Sequence, residues 1–264
     1  MRMSPPLLRH RIYEGATKIF RQLPSALRLV ALFESMAARC PHGDALSAAF
    51  EDSEAAHLWR NIIDESGVHA GTKDCDLLWD RIRLRIQYPD GEARTSTDNV
   101  SDRFSSSLRL HRDTWANNVQ QQINWWTPLR GVTKDKTMAL CPSLFRVPIP
   151  NDSAEWSINL LRESKKRNIL FPQLPTVLSE TLSDVDRQRI AEDWTPVVIN
   201  PGDVLVFSGA HLHGSVPNAT NIIRFSSEVR TVDVGDISTG FGAPNVDGES
   251  TDYNIQWFNP IIKL

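Results

Sequence analysis

The sequence predicts a mainly β protein: a closed or sandwiched antiparallel barrel with helices at its N-terminal end. Three observations carry that expectation. Helical spacing of apolar residues dominates the first part of the chain and gives way to strict alternation at Trp79. Turn residues then punctuate seven or eight short apolar runs. No strand-helix-strand alternation and no fixed-period repeat is visible.

Residues 1 to 22 are basic and weakly patterned, and are expected to form an extended arm or short helix on the surface. Pro24 opens a helix over Ser25 to Cys40, with Leu27, Val30, Leu32, Phe33 and Met36 on its apolar side. A second helix is predicted from Ala45 to about Ile63, and a turn at Gly67 to Gly71. Trp79 to Tyr88 is a strand. Ile82, Leu84, Ile86 and Tyr88 lie on one face, Arg81, Arg83, Arg85 and Gln87 on the other. That basic face is either solvated or turned to an anion-binding cavity. Pro89 to Gly91 is a turn and Thr95 to Ser106 a loop. Strands follow at Ser107 to His111, Val119 to Leu129 and Ala139 to Val147. Pro148 to Asp186 reads as an insertion. It carries a helix at Ala154 to Ser164, capped by Asp152 or Ser153. A short helix at Ser183 to Ala191 comes next. Val197 to Ile199, Val204 to Ser208 and Ile222 to Val229 are the last strands. Gly235 to Ser250 is a loop, and Tyr253 to Phe258 returns to the body through Ile255, Trp257 and Phe258.

The 264 residues suffice for one large unit, and no linker-like stretch divides them. We read 1–264 as one domain: a helical part over 1–75, a β core over 76–232 and a loop-rich tail over 233–264. With 41% hydrophobic and 23% charged residues, a soluble, cytoplasmic, globular protein is expected, as monomer or homodimer. The net charge of -3 gives no support for a nucleic-acid partner. Cys40, Cys75 and Cys141 lack paired spacing, which argues against a zinc-thiolate site or disulfide scaffold and fits a reducing compartment. No apolar run is long enough to span a membrane, and the proline-bearing N-terminus does not read as a signal peptide.

The chemistry centres on His111-Arg112-Asp113 and, about a hundred residues on, His213. A histidine and a carboxylate two apart can reach one metal from one strand end, with Arg112 pointing away. His213 is placed to supply a third ligand, and two histidines with one carboxylate are the ligand set of non-haem Fe(II) oxygenases. His211 shares strand parity with His213 and is the alternative third ligand, a neighbour of the site or a residue beside its mouth. Asp203, in the Pro201-Gly202-Asp203 turn, is expected to accept backbone amides rather than a metal. Arg224 follows His213 by eleven positions across a turn at Pro217-Asn218, which places a guanidinium on the neighbouring strand. A buried arginine needs an anion, and a carboxylate is its bidentate match. Ser226, on the same face, adds a hydroxyl.

These pieces resemble the Fe(II)/2-oxoglutarate-dependent dioxygenases, in their phytanoyl-CoA dioxygenase-like branch. The matching residues are His111-Arg112-Asp113, Pro201-Gly202-Asp203, His213-Gly214-Ser215 with Asn218, and Arg224-Phe225-Ser226, within roughly Arg81 to Val232. The resemblance implies a double-stranded β-helix (jelly roll, cupin-like) with N-terminal helices packed outside. It implies that His111, Asp113 and His213 bind Fe(II), and that Arg224 holds the far carboxylate of 2-oxoglutarate. It implies dioxygen as oxidant, with hydroxylation of a C–H bond and release of succinate and carbon dioxide. Leu140 to Phe145 departs from the Pro-Gly-Ser-His stretch of many relatives, which leaves the substrate class open.

Several residues have two readings. Gln120, Gln122, Asn124 and Trp126 share one strand face. Amides there fit a polar cavity better than packing, and Gln122 and Asn124 are expected to line the co-substrate or substrate pocket, although an outward, solvated face would also accept them. Trp115 is a pocket rim or a core aromatic. Arg83 and Arg85 are candidates to offer charge to an acidic substrate. A small polar metabolite is the expected substrate, since neither a nucleic-acid surface nor a peptide-binding repeat is visible. The competing functions are a cupin-type metal enzyme without 2-oxoglutarate, and a non-enzymatic jelly-roll binding module.

Overall fold

A computed structural model describes residues 7–40, 43–90, 107–166 and 174–260. The predicted loop at Thr95 to Ser106 and part of the Pro89 to Gly91 turn lie outside these residues. The N-terminal part contains α1 (Leu8–Tyr13), β1 (Lys18–Phe20), α2 (Pro24–Ala37), α3 (Gly43–Glu51) and α4 (Ala55–Ser66). The middle contains β2 (Leu77–Trp79), β3 (Arg83–Gln87), α5 (Thr114–Asn117), β4 (Ile123–Pro128), β5 (Met138–Leu140) and α6 (Ile158–Lys166). The last third contains α7 (Asp184–Asp193), β6 (Thr195–Pro196), β7 (Val204–Ser208), β8 (His213–Ser215), β9 (Arg224–Asp233), α8 (Val234–Thr239) and β10 (Asn259–Pro260).

Among the described residues all strand pairs are antiparallel and form two sheets. The larger runs β1-β7-β4-β9-β2-β10, with β3 also on β9, and the smaller runs β6-β5-β8. This is the expected mainly β, jelly-roll arrangement, in sandwiched form: the sheets face each other and neither closes on itself. Alternation explains what lies on each side. Leu84, Ile86, Phe225 and Val229 point outward, into one core with Leu29 and Phe33 of α2 and Leu58 and Trp59 of α4. Their neighbours in sequence, Arg85, Gln87, Arg224, Glu228 and Arg230, line a cavity on the inner side. A second core of Trp126, Leu205, Phe207, Met138 and Leu140 joins the two sheets. The N-terminal helices therefore cover the outer face of the large sheet, as expected.

Several expectations need correction. The N-terminal segment is no surface arm, because Ile12 and Tyr13 are buried. Arg9 Nε donates to Asp236 Oδ2 at 2.8 Å and the Tyr13 hydroxyl to the same oxygen at 3.1 Å, which fastens α1 to α8. The second helix is two helices. Ser53 Oγ donates to Phe50 O and accepts from Ala55 N, competing with the helical ladder between α3 and α4. The strand from Trp79 breaks at Asp80, whose backbone N–H goes to Arg230 O and whose Oδ1 takes Arg230 N. Residues 107 to 111 contribute a single bridge rather than a strand. The run at Ala139 to Val147 is β5 plus a 3-10 turn at Pro142–Leu144. Strand β6 precedes the predicted Val197 to Ile199. Neither Asp152 nor Ser153 caps α6. The oxygen Ser157 Oγ accepts Leu160 N at 3.2 Å, while Asp152 Oδ1 takes Thr176 N. The tail is not all loop, since α8 opens it. Among the described residues no helix is long and apolar enough to cross a membrane.

One buried histidine gives the fold a pH dependence. The His69 Nε2 lies 2.9 Å from Thr231 Oγ1 beneath the helices. Burial pushes its imidazole down to about 3 from the usual 6.5, with Asp233 opposing and Arg9 and Arg60 pressing the same way. Below 6.5 the unfolded chain therefore holds a proton that the folded chain lacks. Stability should fall as pH drops from 6.5 towards 3, by about 1.4 kcal/mol per unit from this group at most. In denaturant titrations across that range, His69→Gln should show a shallower loss than the wild type.

Candidate metal centre and its cavity

The two candidate histidines are brought together by one antiparallel bridge. His111 N donates to His213 O and His213 N to His111 O, both at 2.9 Å. Residues paired in this way carry their side chains on the same face, and the two imidazole centroids lie 4.3 Å apart. Asp113 is two residues past His111, at the start of α5, with its N–H on Gly209 O. One donor atom from each of His111, Asp113 and His213 lies within 4.8 Å of the others, and all three residues are buried. Asp113 Oδ1 is 3.7 Å from His111 Nε2, and Oδ2 is 3.9 Å from His213 Nε2.

The hydrogen bonds fix which ring nitrogen is free. His111 Nδ1 faces Arg109 O at 2.8 Å and His213 Nδ1 faces His211 O at 2.9 Å. A carbonyl only accepts, so each Nδ1 carries the proton and each Nε2 presents its lone pair to Asp113. Burial, and His111 beside it, push the His213 imidazole down to about 3, although Asp113 opposes them. Burial would raise Asp113. Instead Arg230, His111 and His213 hold its carboxyl well below the usual range. Two neutral imidazoles and one carboxylate, with their lone pairs convergent, are a donor set that suits a divalent transition metal.

The amides on β4 have a definite job. Gln122 Nε2 donates to Asp113 Oδ2 at 2.9 Å and Asn124 Nδ2 to the same oxygen at 2.5 Å. Gln122 is in turn held by Asn117. Asn124 lines the cavity but Gln122 stands behind Asp113, so the expectation that both line the pocket is corrected for Gln122. Partners that orient a ligand commonly account for about 10–100-fold in metal affinity. Asn124→Leu should weaken Co(II) binding in that range, as read by calorimetry on the metal-free protein.

The cavity between the sheets is also lined by Arg85, Gln87, Trp126, Arg224, Glu228 and Arg230. Arg224 is 6% exposed, and its Nε and Nη1 find no partner among the described residues. The buried Ser226 hydroxyl is likewise without a partner there. Burial, and the nearby Arg85 cation, push the Arg224 guanidinium down to about 10, against a smaller opposing effect of Glu228. The expectation that Arg224 sits on the strand next to His213 is wrong. Strand β8 belongs to the small sheet and β9 to the large one, so Arg224 faces the cavity from the opposite wall.

Three weaker candidates, Trp115, His211 and Arg83, fall elsewhere. Trp115 is a core residue whose Nε1 donates to Asp247 Oδ1 at 2.7 Å. His211 is fully buried, with Nε2 3.2 Å from Gly15 O, and is neither a ligand nor a mouth residue. Arg83 lies behind the cavity and pairs with Asp80 at 2.5 Å. Arg85 does line the cavity, clasping Glu228 Oε1 through Nε and Nη2 at 3.0 and 2.8 Å. Trp126 supplies an apolar wall. Asp203 accepts Gln22 N and Asn200 N, as a turn carboxylate should.

Arg230 was missed. Its Nη2 lies 3.3 Å from Asp113 Oδ1, and its Nε is 3.7 Å from Asp80 Oδ2. The signal was available: Arg224, Ser226, Glu228 and Arg230 alternate with Phe225, Ser227 and Val229, which puts a polar row on one face of a central strand.

Residues 145–226 match the family model described as phytanoyl-CoA dioxygenase (PhyH). This stretch of the chain resembles that family. The match covers less than half of the chain and includes His213, Arg224 and Ser226 but not His111 or Asp113. Among solved structures, EvdO2 from Micromonospora carbonacea var. aurantiaca is 12% identical, over 87% of this chain and 91% of that one, with a TM-score of 0.51. The epimerase SnoN, in complex with Fe3+, alpha-ketoglutarate and nogalamycin RO, is 13% identical over 85% and 83%, also at 0.51. At these identities the likeness is one of fold. The chain also spans 34% of the length of EvdMO1, at 16% identity over 69% of its own residues and a TM-score of 0.40. No curated protein matches the sequence significantly.

Proposed function

We propose that this chain is an Fe(II)- and 2-oxoglutarate-dependent oxygenase that hydroxylates a C–H bond of a small polar metabolite. One observation carries the reading. The buried His111, Asp113 and His213 share a cavity with a guanidinium that lacks an anion. The three donors suit Fe(II) and leave the cavity side of the ion open for a chelating co-substrate and dioxygen. Arg224, with Ser226, suits the far carboxylate of 2-oxoglutarate, because a planar carboxylate satisfies two parallel N–H donors. One structure of EvdO2 is described as complexed with 2-oxoglutarate, and SnoN as complexed with Fe3+ and alpha-ketoglutarate. That is consistent with the same use of this fold here.

In this reading Gln122, Asn124 and Arg230 orient Asp113, and the two Nδ1–H bonds keep both imidazoles in the binding tautomer. Trp126, Met138 and Phe207 limit water at the reacting face. Iron with 2-oxoglutarate would supply dioxygen activation, coupled to oxidative decarboxylation to succinate and carbon dioxide. The whole chain, 1–264, acts as one unit, cytoplasmic, as monomer or homodimer.

The test is anaerobic titration of metal-free protein with Fe(II) and then 2-oxoglutarate. A visible charge-transfer band should appear with 2-oxoglutarate and be absent in His213→Ala. Tight iron binding without any band would move the chain to a cupin-type metal enzyme with another co-substrate. Absence of iron binding would sink both.

A further inference from the structure

Among the described residues the charges around the metal centre do not balance, and the imbalance bears on the substrate. Leaving aside the Arg85–Glu228 pair, the inner side of β9 and the layer behind it hold Arg83, Arg224 and Arg230 against Asp80 and Asp113. The proposed co-substrate is a dianion. Its far carboxylate matches Arg224, and its near carboxylate belongs at the metal. At the metal end the positive charges are then those of Fe(II), Arg83 and Arg230, four in all. The negative ones are Asp80, Asp113 and that near carboxylate, three in all. Fe(II) and 2-oxoglutarate cancel each other, so loading the site does not remove the excess.

The excess is inside the protein. The side chain of Arg230 is 11% exposed, that of Asp113 3% and that of Asp80 4%. A charge so placed is costly without a partner. Asp80 already serves Arg83 at 2.5 Å and stands 3.7 Å from Arg230 Nε. Asp113, at 3.3 Å, would be shared with the metal, and Glu228, which also faces Arg230, is clasped by Arg85. Each acid that faces Arg230 thus also serves another cation in the loaded site, and Arg230 lines the cavity beside the metal. Around it Trp126, Met138 and Phe207 offer apolar surface.

Resting on the function proposed above, we propose that the substrate is an organic acid with an apolar body and that Arg230 receives its anionic group beside the metal. A carboxylate and a phosphate monoester share the required chemistry. In either case the oxidised carbon lies on the body of the molecule, near its acidic end.

The full-length protein, loaded anaerobically with Fe(II) and 2-oxoglutarate, is titrated with octanoate, octyl phosphate and the neutral isostere octanamide. Both the visible band and the melting temperature are read. At least one acid should bind about tenfold or more tightly than octanamide, the difference one charge-assisted hydrogen bond makes. Which acid does so separates carboxylate from phosphate. Arg230→Gln should erase that preference and Arg230→Lys should keep it, whereas a purely structural Arg230 would not alter acid-over-amide selectivity. Octanamide binding as well as both acids in the wild type, no response to either acid, or a preference that survives in Arg230→Gln would overturn the proposal. So would loss of the band on adding acid, which would mean that the acid had displaced 2-oxoglutarate from Arg224. If the wild type gives no band at all, the oxygenase reading fails instead. Melting of the metal-loaded protein with the same three compounds then still decides on Arg230.

Discussion

Asp113→Ala should abolish Fe(II) and Co(II) binding while leaving a folded but less stable protein. Three features make this the largest expected effect. Asp113 is the only carboxylate of the buried three-residue donor group. It sits between both Nε2 atoms, at 3.7 and 3.9 Å. It also collects Gln122, Asn124 and Arg230. Loss of a ligand should exceed the roughly 10–100-fold that loss of an orienting partner costs. Removing the carboxylate also weakens the pairing of Arg230, whose remaining acidic neighbours, Asp80 and Glu228, already serve Arg83 and Arg85. Breaking a buried ion pair on one side costs about 3–5 kcal/mol. Calorimetric metal titration checks the first effect and chemical denaturation of metal-free protein the second. Retained binding in this variant would remove Asp113 from the site.

Arg224→Met should show the opposite pattern: a more stable ligand-free protein that no longer takes 2-oxoglutarate. In the described structure Arg224 is buried, and two of its three nitrogens are unpartnered. The long apolar stem of Met fills similar space without a charge to desolvate. A gain of roughly 1–3 kcal/mol is expected, which for a chain of this size is several degrees in Tm. The 2-oxoglutarate affinity should fall on the order of a hundredfold, since the bidentate charge match is lost. Fe(II) binding should be unchanged, because Arg224 is not in the donor group and faces the cavity from the wall opposite His213. A variant that destabilises the ligand-free chain would mean that Arg224 serves folding rather than ligand binding.

The two variants probe features that were legible to different degrees. His111, Asp113, His213 and Arg224 could be picked out because their spacing is local and their residue types are rare in a core. Spacing could not say which wall Arg224 stands on. A hairpin was the simple inference from the turn at Pro217-Asn218, but β8 pairs with β5 and β9 with β4, across the sandwich. The amides of β4 were recognisable as misplaced for packing. Their target was not, because Asp113 reaches them only through the register of β4 between β7 and β9. Trp115 looked like a pocket residue because it follows Asp113 by two, yet α5 starts there and turns it into the core towards Asp247. Arg230 was overlooked although it lies on the same face as Arg224, because the predicted strand stopped at Val229.

By itself the sequence determined the layer order, helices outside and strands within, because apolar periodicity is a property of neighbouring residues. It likewise determined the three metal-ligand candidates and the anion-seeking arginine. Tertiary structure alone decided the rest: the bridge that sets His111 beside His213, the Gln122 and Asn124 bonds to Asp113, and the place of Arg230 between Asp113 and Asp80. Each of these joins residues from different strands, and pairing register is settled by packing over the whole sheet rather than by any local stretch of chain.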